Sequence, residues 1–232
     1  MRSAEEKQRS LVDPGACFMT PRELLITGAE ELGIVLTVEQ VNSLFIFLAE
    51  LKKWNTRINL TAIKGERDTV IKHVLDSLSH IQGFIPAPGL RLLDMGSGAG
   101  FPAIPIKIAY PGIAVTLVES VKKKASFLRH VIRTLQLSDA EVLDIRTEEL
   151  PVSRHGSYDV VTARAFADMN LALSAGTTFL KAGGLTVLSR GPEESITEQE
   201  LTGAGVILNK KIELTLPHSD YKRAIWVFKK SG

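Results

Sequence analysis

Two periodicities divide the chain. Up to about residue 85 apolar residues recur at steps of three and four; beyond it, short apolar runs alternate with longer amphipathic ones. The first spacing predicts helices. Within "VEQVNSLFIFLAELKKWN", Val41, Leu44, Phe45, Leu48 and Leu51 fall on one helical face. Thr37-Val38-Glu39-Gln40 opens that helix in capping-box form, and Thr20-Pro21-Arg22-Glu23 opens an earlier one, with Pro21 at the first helical position and Gly33 as its stop. A third helical stretch is predicted from Glu66 to Ile81. Residues 20–85 therefore read as an N-terminal helical cap, preceded by a flexible leader over residues 1–19.

Pro86-Ala87-Pro88-Gly89 breaks the helical pattern. After it, "RLLDM", "AVTLVES", "AEVLDI", "YDVVTA" and "LTVLS" predict buried strands, with "FPAIPIKIAY", "KKKASFLRHVIRTLQ" and "MNLALSAGTTFL" as the helices between them. Alternation of this kind predicts an α/β domain over residues 86–232, a mainly parallel sheet with crossover helices on both faces. "GVILNKKIELTLP" and "KRAIWVFKK" have no helix between them and predict an antiparallel pair at one edge.

Composition narrows the class. The 232 residues are 44% hydrophobic and 23% charged, which suits a soluble globular chain able to bury a core without disulfides. The single cysteine, Cys17, excludes a disulfide framework and a cysteine metal cluster, and fits a reducing cytosol; no metal is expected. No apolar run reaches the ~20 residues of a membrane span, and "MRSAEEKQRSLVDPGACF" lacks the apolar core of a signal peptide. A cytoplasmic monomer is the expectation. The net charge of +2 says little, because a nucleic-acid partner needs a local basic patch rather than a global excess.

The candidate chemistry sits in "LLDMGSGAGFP", where Asp94 ends the first strand of the α/β domain and Gly96, Gly98 and Gly100 turn into the next helix. Glycine allows positive φ and close approach of backbone to a ligand. In a doubly wound sheet this turn lies at the carboxyl end of the strand, where ligands bind. A dinucleotide fold spaces its glycines Gly-x-Gly-x-x-Gly; here the third comes one residue early and is followed by Phe101 and Pro102. The Asp-x-Gly-x-Gly-x-Gly form resembles motif I of class I methyltransferases, which bind S-adenosylmethionine. Glu119 ends the second strand, 21 residues after Gly98, where a carboxylate accepts from ribose hydroxyls.

Four blocks make the resemblance specific: "LKKWNTRINLTAI" (51–63), "HVLDSL" (73–78), "LLDMGSGAGFPAIPI" (92–106), and "RTEEL" (146–150) with "TARAFA" (162–167). Together they resemble the bacterial 16S rRNA guanine-N7 methyltransferase G family, also called the glucose-inhibited division protein B family, over roughly residues 25 to 230. The resemblance implies a class I S-adenosylmethionine-dependent methyltransferase: a Rossmann-like, mainly parallel sheet with an antiparallel edge behind an N-terminal helical cap. It implies methylation of N7 of a guanine in the 530 loop of 16S rRNA (guanine 527 in conventional rRNA numbering), on the RNA or a small-subunit precursor. Carried over, the family's cofactor contacts fall on Gly96, Phe101, Thr147, Glu148 and Arg164; Gly98 and Gly100 of the turn and the strand-end Glu119 join them as expected cofactor-binding residues. Thr147 and Glu148 follow the third strand, beside an adenine edge. Arg164 follows the fourth, where its guanidinium would meet the cofactor carboxylate or a target phosphate.

Guanine N7 carries an in-plane lone pair and needs no deprotonation, so alignment can supply most of the catalysis. No general base is assigned, and Arg164 is the one catalytic candidate. Nothing after the fourth strand matches the [Asp/Asn]-Pro-Pro-aromatic loop of exocyclic-amine methyltransferases, and no cysteine lies there for a carbon-5 cytosine mechanism. RNA-binding candidates are Lys52, Lys53 and Arg57 in the cap and Lys122, Lys123, Lys124, Arg129 and Arg133 after the second strand. Trp54 reads first as a buried cap aromatic, and His73 with Asp76 as hydrogen-bonding groups joining cap to core. Competing readings are a methyltransferase for a small molecule or protein, a nicotinamide-dependent oxidoreductase, and a non-catalytic RNA-binding module that kept the pocket.

Overall fold

The computed structural model describes residues 19–164 and 168–231. The leader up to residue 18, with Cys17, and the Ala165-Phe166-Ala167 part of the "TARAFA" block lie outside the described residues. Helix α1 (Pro21–Glu31) and helix α2 (Val38–Asn55) both begin at reciprocal caps. The Thr20 hydroxyl accepts from the Glu23 N–H while the Glu23 carboxylate accepts from the Thr20 N–H, and Thr37 and Gln40 repeat the exchange. The third helical stretch changes pitch along its length. It starts as α3 (Glu66–Thr69), widens into a π-helical turn (Val70–Leu75), continues as α4 (Asp76–Leu78) and tightens into a 3₁₀ segment (Ser79–Gly83).

The α/β part then follows in chain order: β1 (Arg91–Met95), α5 (Ala103–Ala109), β2 (Ala114–Val118), α6 (Lys122–Thr134), β3 (Ala140–Leu143), β4 (Tyr158–Ala163), α7 (Met169–Thr177), β5 (Leu180–Arg190), α8 (Glu198–Ala204), β6 (Val206–Thr215) and β7 (Lys222–Lys230). The seven strands lie in the order β3-β2-β1-β4-β5-β7-β6. β1 through β5 pair in parallel, and β7 is inserted antiparallel between β5 and β6. Strand order reverses at β1, between β2 and β4, which is the topological switch point where open α/β sheets bind ligands.

Alternation along the strands assigns the two faces. Leu92, Val115, Leu117, Val160, Val187 and Val227 pack on one face in an apolar cluster shared with Leu24, Phe47 and Leu78 of the N-terminal helices and with Ile104 and Phe127 of α5 and α6. Leu93, Met95, Val118, Val161 and Leu188 face the other way, toward Leu173 of α7 and Ala204 of α8. The helices before β1 thus share one layer with α5 and α6. They come very close to the sheet: a Cβ on Gly83 would sit 2.7 Å from Val187 Cγ1 and 3.2 Å from Val227 Cγ2. Burying each large apolar side chain in this layer contributes about 1.5–3 kcal/mol before entropy is counted.

Candidate active site

The alternation that sorts the core also delivers the charged groups. Leu92, Leu117 and Val160 face the N-terminal helices, so Asp94, Glu119 and Arg164, each two or four residues further along, emerge on that same face at the carboxyl ends of β1, β2 and β4. Between them runs the glycine turn. Its Ser97 N–H donates to Val118 O at 2.9 Å and its Gly98 N–H donates to Glu119 Oε2 at 2.8 Å, which ties the turn to β2. Glu119 Oε1 accepts from the Val121 N–H at 2.8 Å. Each oxygen of this buried carboxylate therefore holds one backbone N–H and keeps a lone pair for another donor.

The glycines of the turn do different things. Gly98 has φ +56°, and beyond its chain neighbours a Cβ built there meets, among the described residues, Gly96 O alone within 4 Å, at 3.8 Å, so its side faces open space. At Gly100, φ +90°, a Cβ would lie 2.8 Å from Ile104 Cγ1 and 3.1 Å from Leu128 Cδ2; this glycine lets the turn lie against α5 and α6. Where Gly96 begins the turn, a cavity of about 270 Å³ brings together Gly96, Glu119, Thr147 and Glu148, with Val118 and Ile145 among its walls. Thr147 is buried and Glu148 is exposed at the start of a one-turn 3₁₀ segment, Thr147–Glu149.

Under the turn lies Asp94, fully buried, with neither carboxylate oxygen hydrogen-bonded among the described residues. Burial pushes its carboxyl well above the ordinary carboxylate range. Arg164 donates from Nη2 to Lys72 O at 2.6 Å and pairs with Asp76 Oδ2 at 3.1 Å, while its Nη1 is buried without a partner among the described residues. Asp76, 3% exposed at its side chain, also accepts from Arg223 Nε at 3.0 Å and from Ser189 Oγ at 3.2 Å. One carboxylate on the N-terminal helices thus gathers the ends of β4, β5 and β7.

Phe101 connects this junction to the turn. Its ring stacks on His73 at 4.4 Å and 12°, lies 5.1 Å from Phe47, and carries the Arg164 guanidinium at 5.6 Å. His73 in turn bonds Thr61 Oγ1 through Nε2 at 2.7 Å. Asn55 fixes the loop bearing Thr61: its Oδ1 accepts from the N–H groups of Leu60 and Thr61, and its Nδ2 donates to Thr61 O. Burial, reinforced by the Arg164 cation, lowers His73 to about 4, so the ring is neutral near pH 7. The sequence blocks around Asn55, His73, Gly98 and Arg164 meet here.

Residues 40–226 match the family model described as rRNA small subunit methyltransferase G. The chain belongs to that family. The ribosomal RNA small subunit methyltransferase G of Geotalea uraniireducens is 39% identical over 91% of this chain and 97% of its own length. That of Geobacter sp. strain M21 is 39% identical over 90% and 98%. Among solved structures, a SAM dependent methyltransferase from Aquifex aeolicus superposes with a TM-score of 0.53 at 14% identity, over 78% of this chain and 97% of that one. M. jannaschii TYW2 in complex with AdoMet gives 0.53 at 13%, over 75% and 78%. At such identities these two speak for the fold.

Of the residues singled out in the sequence, Gly96, Glu119, Thr147 and Glu148 line one cavity. Gly98, Gly100 and Phe101 do not line it; Gly98 and Gly100 shape the turn next to it, and Phe101, 5% exposed, sits in the apolar cluster. Arg164 is anchored to Asp76 and Lys72 rather than extended into open cleft. Asp94 joins the site residues, and its signal in the sequence is its place as the acid at the head of a glycine turn. Asp76, expected to join cap to core by hydrogen bonds, does so through Arg164, Arg223 and Ser189. Lys52, Lys122 and Lys123 are exposed, whereas Arg129 is paired with Asp144 at 3.0 Å. Trp54 is half-buried against Phe127 and His130. Among the described residues no helix is long and apolar enough to cross a membrane.

Proposed function

We propose that the cavity beside the glycine turn holds S-adenosylmethionine and that the protein transfers its methyl group to N7 of a guanine in the 530 loop of 16S rRNA. Membership of the rRNA small subunit methyltransferase G family makes methylation of small-subunit RNA the activity of this chain. The observation that carries the cofactor assignment is a set of unsatisfied groups that an amino-acid nucleoside would satisfy. Asp94 presents a carboxylate with no partner among the described residues, matched to an ammonium. Arg164 Nη1 is matched to a carboxylate. The free lone pairs of Glu119 suit ribose hydroxyls, and Thr147 with Glu148 borders the place for the adenine edge.

The bound cofactor supplies a methyl group on a sulfonium, ready for displacement. The chain's own part is to bind, align and exclude water. Guanine N7 offers a lone pair without losing a proton, so no side chain has to act as a base. His73, neutral and stacked on Phe101, holds the turn and the Asn55 loop in register instead. A-form RNA hides N7 in a deep, narrow groove, which favours a loop guanine as the target.

The test is labelled-methyl transfer to 16S rRNA from cells lacking this enzyme, with the modified base mapped. Label at guanine N7 in the 530 loop is expected. Gly98→Val should remove cofactor binding by calorimetry with the circular dichroism of the native protein kept, since a branched side chain would fill the open side of the turn at a strained φ. Label found only on protein or on a small molecule would replace the RNA reading.

A further inference from the structure

A second depression lies apart from the cofactor cavity, between the C-terminal end of α2 and the first turns of α6. It measures about 230 Å³ and is lined by Lys53, Trp54, Arg57, Ile58, Lys123 and Ser126. We propose that it seats one nucleotide of the RNA strand flanking the target guanine, with the base against Trp54 and Ile58 and the adjoining phosphates on Lys53, Arg57 and Lys123. The proposal rests on the RNA reading above and adds to it a defined nucleotide site.

Charge points to phosphate. Three cations line the depression and no acid does. Arg57 and Lys123 are exposed and form no ion pair among the described residues, and Lys53, with a side chain 70% exposed, reaches only Glu50 at 3.7 Å. Exposed cations, two of them without an ion pair among the described residues, around an apolar floor suit a ligand with a flat apolar face and a negative backbone. Trp54 is a rigid floor, because Phe127 at 5.7 Å and His130 at 5.3 Å back it. His130 is fixed in turn by Glu50 at 2.6 Å. An aromatic already immobilised loses little entropy when a base stacks on it. The volume is below the ~300–1,000 Å³ of drug-sized sites, which suits a single base rather than a larger ligand.

Position points to the same RNA. The α2 helix climbs along α5: Gln40 Nε2 donates to Ala109 O at the end of α5, whereas Phe47 meets Phe101 just before its start. The end of α2 therefore reaches the carboxyl edge of the sheet, where α6 also begins directly after β2. The depression and the cofactor cavity open on this one edge yet share no residue. A loop guanine placed over the glycine turn would carry its neighbours across it.

The chain has two tryptophans, Trp54 and Trp226, so Trp226→Phe leaves Trp54 as the sole indole reporter. Titrating that protein with an RNA hairpin of the 530-loop sequence should change Trp54 fluorescence in a saturable way. Ser126→Trp would plug the depression but add a reporter, so Ser126→Glu serves as the blocking variant, placing a negative charge among the three cations. In a salt series, Lys53→Ala, Arg57→Ala and Lys123→Ala together should weaken hairpin binding tenfold or more. They should also flatten the salt slope by about 2, at roughly 0.7 per single-strand phosphate contact. S-adenosylhomocysteine affinity should stay as in the wild type. Ser126→Glu should reproduce the loss with a single surface change. Unchanged hairpin affinity and slope in both variants, or no Trp54 response, would overturn the nucleotide site while methylation by the wild type left the RNA reading standing. Normal hairpin binding with activity lost only on assembled subunits would assign the depression to a ribosomal protein and also overturn it. A wild type that methylates no rRNA would remove both.

Discussion

Asp94 shows what a single residue contributes before any ligand arrives. A buried carboxylate without a hydrogen-bond partner among the described residues opposes folding and favours whatever satisfies it. Its folded pKa is raised by burial above the ordinary 3.8. The folded protein therefore holds its proton more tightly than the unfolded chain, and the group's contribution to stability falls as pH rises above about 3.8. Asp94→Asn removes that titration. Urea midpoints of the cofactor-free protein should show the variant gaining on the wild type as pH is raised from 4 toward 7. Cofactor affinity should move the other way, weakening about 10- to 100-fold for the loss of a charge-assisted bond of roughly 1.5–3 kcal/mol. Unchanged S-adenosylmethionine affinity would place the ammonium elsewhere.

Among elements, legibility followed apolar spacing. "RLLDM", "YDVVTA" and "KRAIWVFKK" coincide with β1, β4 and β7 because each is a short run buried on both faces. In α2 the expected stripe included Phe45 and Leu48, which are half-buried, and missed Phe47, which is completely buried because α5 and α6 cover a second side of the helix. Helix α8 has no counterpart in the apolar pattern. Its cap, Thr197 with Glu200, has the same form as those of α1 and α2, but a seven-residue helix with one buried residue offers no period to detect. β5 runs five residues further toward its start than "LTVLS", through Leu180-Lys181-Ala182-Gly183-Gly184, where glycines obscure a strand signal. The charged junction around Asp76 had no one-dimensional signature, since its partners lie 88 to 147 residues away. Gly83 belongs with these contacts. It follows the third helical stretch onto Val187 and Val227, two β-branched residues with little freedom to turn away. Gly83→Ala should destabilise the fold by about 1–3 kcal/mol through overpacking. Gly191→Ala, with nothing among the described residues within 4 Å of the added carbon, should change stability by under ~0.5 kcal/mol. Equal thermal midpoints for the two variants would show that the 3₁₀ segment moves freely on the sheet.

Across the whole molecule, the N-terminal helices and the sheet are joined by buried histidines whose protonation the fold resists. His80 is completely buried; its Nδ1 meets Asp76 O at 3.0 Å and its Nε2 has no partner among the described residues. Burial lowers both His73 and His80 from 6.5 to about 4, with Asp76 opposing the shift in each and Arg164 adding to it. The folded state thus binds fewer protons than the unfolded state between pH 6.5 and about 4. Stability from these two groups is complete above 6.5 and is lost as pH falls through that window, by on the order of 3 kcal/mol for each histidine. Asp94 titrates with the opposite sign and offsets part of the loss. Urea midpoints should therefore fall between pH 6.5 and 4, and His80→Asn, which can keep a donor toward Asp76 O, should fall less steeply. Parallel slopes for the variant and the wild type would show that His80 is already protonated in the fold. Because the same helices carry His73 against Phe101 and Asp76 against Arg164, S-adenosylmethionine affinity should decline with the midpoint in acid, and the His80→Asn protein should keep its affinity to lower pH.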